Sequence, residues 1–136
     1  MYLITKYEAG GDLAEYAEAR GQEYLPEEQA KQIFLQMAVG IKDIHMEQVV
    51  HRDIKHKNII LSNKSETPKV KIADFGLACY LEDDECFQQE TGTLGYKSPE
   101  MLLKQPSDFR SDVWSLGVIL YQLLCGLMPF PGGDAR

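Results

Sequence analysis

His51-Arg52-Asp53-Ile54-Lys55-His56-Lys57-Asn58 lies between a helical stretch and two short apolar runs; Asp74-Phe75-Gly76 and Ser98-Pro99-Glu100 follow it in the chain. Each string is short, but all three in this order and spacing do not arise readily by chance. Asp53 and Asn58 fall on one short loop before a strand, not on opposite faces of a helix. Ile59-Ile60-Leu61 and Val70-Lys71-Ile72-Ala73, separated by the polar stretch Ser62 to Pro68, predict a small β hairpin with an irregular tip. Functional residues then belong to loops flanking that hairpin, held by a helical base.

Outward from this centre the pattern becomes helical. From Pro26, the residues Ala30, Ile33, Phe34, Met37, Ala38, Ile41, Ile44 and His45 recur every three or four positions and form one apolar stripe. Pro26 near the start, with Glu27 and Glu28 in the first turn, suits the positive end of a helix dipole. Toward the N-terminus, Met1 to Thr5 reads as the end of a strand, Ala9-Gly10-Gly11 as a turn, and Asp12 as the N-cap of a further helix. Leu77 to Leu94 shows no sustained period and carries the acidic run Glu82-Asp83-Asp84-Glu85, so a mobile segment is expected. Arg110 to Cys125 is apolar nearly all round, as a helix in the middle of a domain must be, with Gly126 as its stop signal. The expected fold class is α+β, mainly helical.

Composition narrows the function classes. The chain has 136 residues, 44% of them hydrophobic, which suffices for one core, and a formal charge of −7. An acidic chain without a basic run disfavours nucleic acid or an anionic membrane as main partner. Val113 to Leu124, interrupted by Ser115, Gly117 and Gln122, is too short to span a bilayer, so no membrane insertion is expected. Cys79, Cys86 and Cys125 are odd in number and not spaced as a metal site, and Met1 to Lys6 is too quickly charged for a signal peptide. Free thiols in an intracellular, cytoplasmic setting are the economical reading.

Taken together, the three strings resemble the eukaryotic protein kinases of serine/threonine type, and the resemblance covers almost all of the chain. It implies the large, C-terminal lobe of a kinase with a small β hairpin at the active-site cleft, residues 1–13 being the interlobe hinge and following helix start and 14–136 the large lobe. The activity implied is transfer of the ATP γ-phosphate to serine or threonine hydroxyls of a protein substrate, with Mg2+. By the same resemblance Asp53 is the catalytic base. Lys55 stands by the transferred phosphate and marks the serine/threonine branch, and Thr93 bonds near both. Asn58 and Asp74 are the magnesium ligands. Backbone groups of Lys6 and Glu8 hold adenine, with Thr5 behind the base, Asp12 near the ribose and Ile60 under the ring. Phe75 is expected to pack inward, Asp112 to anchor the backbone of the His51-Arg52-Asp53 loop, and Arg52 to meet a phosphate on the segment around Gln89 and Thr91, or the acidic run near Asp84.

Some positions depart from the family pattern. Ser98 stands where alanine is usual, and Lys97, where an apolar residue is common, is expected to border the pocket for the substrate residue after the phosphorylated one. His56 replaces proline in the catalytic loop, and as a loop residue it is expected to be exposed and incidental. The glycine-rich loop, the phosphate-pairing lysine and its glutamate partner all precede the hinge in kinases and are not found in this sequence; neither is the arginine that pairs with Glu100. The expectation is a kinase fragment that is inactive in isolation, with the apolar helix from Val113 covered by remaining kinase segments or a regulatory protein. The alternative is a non-catalytic kinase-like module that binds a protein partner.

Overall fold

The computed structural model describes residues 4–19, 24–83 and 91–130. Asp12 caps the first helix as the sequence predicts: its carboxylate accepts the Glu15 N–H at 2.9 Å, opening α1, Leu13–Glu18. The long stripe becomes α2, Glu27–Met46, with Ala30, Ile33, Met37 and Ile41 buried. After it come β1, Val49–Val50, a single 3₁₀ turn at His56–Asn58, and β2, Ile59–Leu61. The chain continues through β3, Val70–Ile72, β4, Cys79–Tyr80, α3, Pro99–Leu102, and α4, Arg110–Cys125. Gly126 closes α4 in the left-handed conformation, φ 72°, where a side chain would be strained.

One apolar core joins these pieces. Leu13 and Tyr16 of α1, the stripe of α2, Ile54, Ile59 and Leu61, and Leu116, Ile119 and Leu123 of α4 all pack into it. The β2–β3 hairpin, paired antiparallel with Ile60 opposite Lys71, lies along α2. Polar residues on the edge of α2 fasten the hairpin at its far end. Gln36 donates to the Pro68 carbonyl and accepts the Val70 N–H, each at 3.1 Å, while Gln29 donates to the Glu66 carbonyl at 3.0 Å. On its other edge β2 receives the chain before α1: Gly10 N–H donates to Leu61 O at 3.0 Å, and Leu61 N–H returns a bond to Gly11 O at 2.9 Å. The backbones approach so closely that a Cβ on Gly10 would stand 2.3 Å from Leu61 O, so only glycine fits.

Four expectations are corrected here. Ile4 and Thr5 form no strand, and Ile4 is 93% exposed; Met1 to Leu3 lie outside the described residues. Part of the segment after Leu77 is ordered, because Cys79–Tyr80 pairs antiparallel with Val49–Val50; Asp84, Glu85, Cys86 and Gln89 lie outside the described residues. A pair of two-residue strands has no period to detect. Helix α4 buries Leu116, Val118, Ile119 and Leu123 but leaves Val113 and Tyr121 largely exposed, so it is not enclosed on every side. No helix among the described residues is long and apolar enough to cross a membrane. Finally, Phe75 does not pack inward: it is 49% exposed, its ring tilted against His51 at a centroid distance of 5.0 Å.

Candidate functional site

The loop between β1 and β2 is held from below by a single carboxylate. Asp112, in the first turn of α4 and 1% exposed, accepts the N–H of His51 and the N–H of Arg52, each at 2.9 Å. His45 Nε2, at the end of α2, meets the same carboxylate at 2.8 Å. Arg52 sits at φ 66°, a conformation that disfavours a side chain and persists only when its surroundings enforce it. The Asp112 fork is that enforcement, and Arg52 Nε donating to the Leu77 carbonyl at 2.7 Å adds to it.

His51 links this loop to the next. Its Nδ1 accepts the Asp53 N–H at 3.3 Å, which leaves Nε2 to donate to the Ala73 carbonyl at 3.0 Å. Ala73 N–H in turn bonds to Asn58 O at 2.9 Å. Asp74, the next residue, is therefore tied by its neighbour's backbone to the loop that carries Asn58. It stands at φ 63° and accepts the Gly76 N–H at 3.3 Å.

Above these supports lies a closed polar cluster. Lys55 Nζ donates to Asp53 Oδ2 at 2.6 Å and to Thr93 Oγ1 at 3.0 Å, and Thr93 Oγ1 donates to Asp53 Oδ1 at 2.7 Å. Asn58 Nδ2 donates to the Asp53 carbonyl at 2.8 Å and reaches Asp53 Oδ2 at 3.2 Å. Burial pushes the Asp53 carboxyl up, but hydrogen bonds from Lys55 and Thr93 and the Lys55 charge outweigh it, leaving the group below its ordinary value. Asp53 thus stays ionised at neutral pH, fixed in orientation by donors from three residues. Such a group orients a hydroxyl and takes its proton only as charge develops.

Asn58 and Asp74 were expected to hold magnesium, and their donor chemistry fits. With its amide nitrogen engaged on Asp53, Asn58 has its side-chain oxygen left as a ligand, and Asp74 supplies a second hard oxygen donor. Among the described residues no group of three or more His, Cys, Asp or Glu could hold a metal ion. One carboxylate and one amide would be a sparse donor set of the kind magnesium accepts.

The residues expected at the hinge meet the β2–β3 hairpin. Thr5 and Lys6 are exposed, and Lys6 Nζ is 3.6 Å from Glu8 Oε1. Glu8 also takes a hydrogen bond from Lys71 of β3, which holds its carboxyl below the ordinary range and pins the segment before α1 to the hairpin. Asp12 and Ile60 form an antiparallel bridge, with Ile60 half-buried. The hydroxyl of Thr91 is buried with no hydrogen-bond partner among the described residues.

The expectation for His56 is overturned. It is 6% exposed, and its Nδ1 lies 3.2 Å from the hydroxyl of Tyr96, forty residues along the chain. Burial pushes its imidazole from 6.5 down to about 4, against a smaller upward pull from Asp12. The fold therefore favours the neutral ring, and the unfolded chain binds the proton more readily. Stability from this group is complete above pH 6.5 and is lost as pH falls toward 4. In magnesium-free buffer, urea unfolding is expected to lose about 3 kcal/mol over that window through His56. A His56→Asn variant lacks that slope. Three residues that carry no role in the sequence reading, His45, His51 and Tyr96, prove to be supports of the site; His51 was visible inside its motif, whereas the other two meet their partners only through the fold.

Comparisons with known proteins show the family. A family model described as "Protein kinase domain" matches residues 1–136. The chain is 38% identical over 134 residues to serine/threonine-protein kinase ATG1a of Arabidopsis thaliana, covering 98% of this chain and 21% of that protein. It is 35% identical over 136 residues to serine/threonine-protein kinase 17A of Oryctolagus cuniculus, covering 100% of this chain and 34% of the relative. A calcium/calmodulin-dependent protein kinase type II of Caenorhabditis briggsae is 43% identical over 129 residues, 95% of this chain and 24% of its own. The chain thus spans between about a fifth and a third of the length of these relatives.

Proposed function

Since this chain belongs to the protein kinase family, we propose that it carries the phosphoryl-transfer centre of an ATP-dependent serine/threonine kinase, residues 1–13 serving as hinge and 14–136 as large lobe. The observation that supports this most is the mutual bonding of Asp53, Lys55 and Thr93. Asp53 orients the substrate hydroxyl and receives its proton at a carboxylate oxygen. Lys55, already charged and aimed at the same point, stabilises negative charge on the transferred phosphoryl oxygens. Thr93 carries the substrate-facing segment onto Asp53, which suits a serine or threonine acceptor. Asn58 and Asp74 would hold magnesium, which would supply positive charge to offset that of the phosphates. Thr5, Lys6, Glu8, Asp12 and Ile60 hold the nucleotide at the hinge side. We assign the protein to the cell interior, where ATP and reduced thiols prevail, with a protein substrate as its partner.

The test uses the full-length protein, γ-labelled ATP and peptides that differ only in carrying serine, threonine or tyrosine. Label is expected on serine and threonine, none on tyrosine, and none after magnesium is chelated. Nucleotide binding with no transfer to any hydroxyl would instead favour a non-catalytic module.

A further inference from the structure

His56 belongs to a closed circuit of contacts that the roles assigned above leave unused. Tyr96 O–H donates to Gln122 Oε1 of α4 at 3.3 Å, so its single proton is committed, and His56 must donate from Nδ1 to the Tyr96 oxygen. Tyr96 N–H bonds to the Thr93 carbonyl at 3.1 Å, closing a tight turn, and the Tyr96 carbonyl accepts from Ser115 Oγ at 2.8 Å. Thr93 then reaches Asp53 at 2.7 Å. The path runs from Asp53 along the loop backbone to His56, then by hydrogen bonds through Tyr96 and Thr93 back to Asp53, joining the catalytic loop on one side to the substrate-facing segment on the other. His56 and Tyr96 also line a cavity of about 480 Å³ together with Lys55 and Thr93, so the circuit borders open space beside those two residues.

We propose that His56 is a positioning residue that clamps the turn 93–96 to the catalytic loop and so keeps Thr93 on Asp53. The inference rests on the reading of Asp53 as the proton acceptor. A proline at position 56 would stiffen the loop but could make no such clamp, since it has no side-chain donor. In this chain the histidine replaces local stiffness with a long-range bond.

The experiment compares the full-length protein with His56→Leu, His56→Asn, Tyr96→Phe and the His56→Leu/Tyr96→Phe double variant. Steady-state kinetics are measured separately against a serine peptide and against ATP. Loss of one buried hydrogen bond, with the alignment it secures, is expected to lower kcat/KM for peptide about tenfold in His56→Leu and in Tyr96→Phe. KM for ATP should stay within about twofold, because the clamp acts on the substrate side. His56→Asn, which keeps an N–H near the Nδ1 position, should recover most of the loss. The double variant should be no worse than Tyr96→Phe, since removing the hydroxyl already cuts the His56 bond along with the bond to Gln122. Additive losses, an asparagine no better than leucine, or parallel loss of ATP affinity would overturn the proposal. If His56→Leu does not fold, Tyr96→Phe is read beside Gln122→Leu, which removes only the bond from Tyr96 to α4: a loss in Tyr96→Phe no larger than that in Gln122→Leu refutes the clamp. Active wild type with unchanged variants refutes the clamp, whereas a wild type without transfer refutes the reading of the site and the clamp with it.

Discussion

Replacing Asp112 with alanine is expected to lower the unfolding free energy by about 3 kcal/mol and to reduce phosphoryl transfer together with it. The carboxylate is 1% exposed and serves two backbone N–H groups, those of His51 and Arg52, besides the His45 ring. Hydrogen bonds to a charged group contribute about 1.5–3 kcal/mol each, and their removal leaves buried donors without acceptors. Arg52 holds φ 66° with that fork as a principal restraint. Once released, the backbone relaxes toward an ordinary conformation and carries Asp53, the next residue, away from Lys55 and Thr93. Asp112→Asn keeps one acceptor oxygen and should fall between wild type and alanine. Urea unfolding and peptide turnover, measured on the same preparations, check both parts; an alanine variant with wild-type stability would show that the loop is held by other means.

Much of this arrangement could be read from local pattern. The stripe from Ala30 to Ile44 needed only its spacing, Asp12 only its place before Leu13, and Gly126 only its place after an apolar helix. The β2–β3 hairpin was legible because its two apolar runs flank a long polar tip. The β1–β4 pair was not, since two residues per strand carry no period. His56 was misread for a different reason. Its sequence neighbours are polar and loop-forming, and the groups that bury and bond it, Tyr96 and Gln122, arrive from other elements. For Phe75 the family resemblance implied inward packing, whereas here its ring rests on His51 and is 49% exposed. Within the site, Asp53 and Asn58 share one loop and were visible as a pair. Thr93 was joined to them only by family resemblance, and its contact with Asp53 spans forty residues that no periodicity could bridge.

Phosphoryl transfer through Asp53 is the central claim, and the most direct measurement is turnover and ATP affinity of Asp53→Asn beside wild type, in the full-length protein. Asparagine keeps the shape of the carboxylate and can still accept from Lys55 or Thr93, so the cluster should hold together. What it loses is the charge that orients the attacking hydroxyl and the basicity that takes its proton. Hydrogen bonds from Lys55 and Thr93 hold the wild-type group ionised at neutral pH, so the substitution removes a base that is ready in every molecule. Peptide phosphorylation is predicted to fall by about a hundred- to ten-thousandfold, with ATP binding within about twofold of wild type. Near-normal turnover in Asp53→Asn would contradict the account.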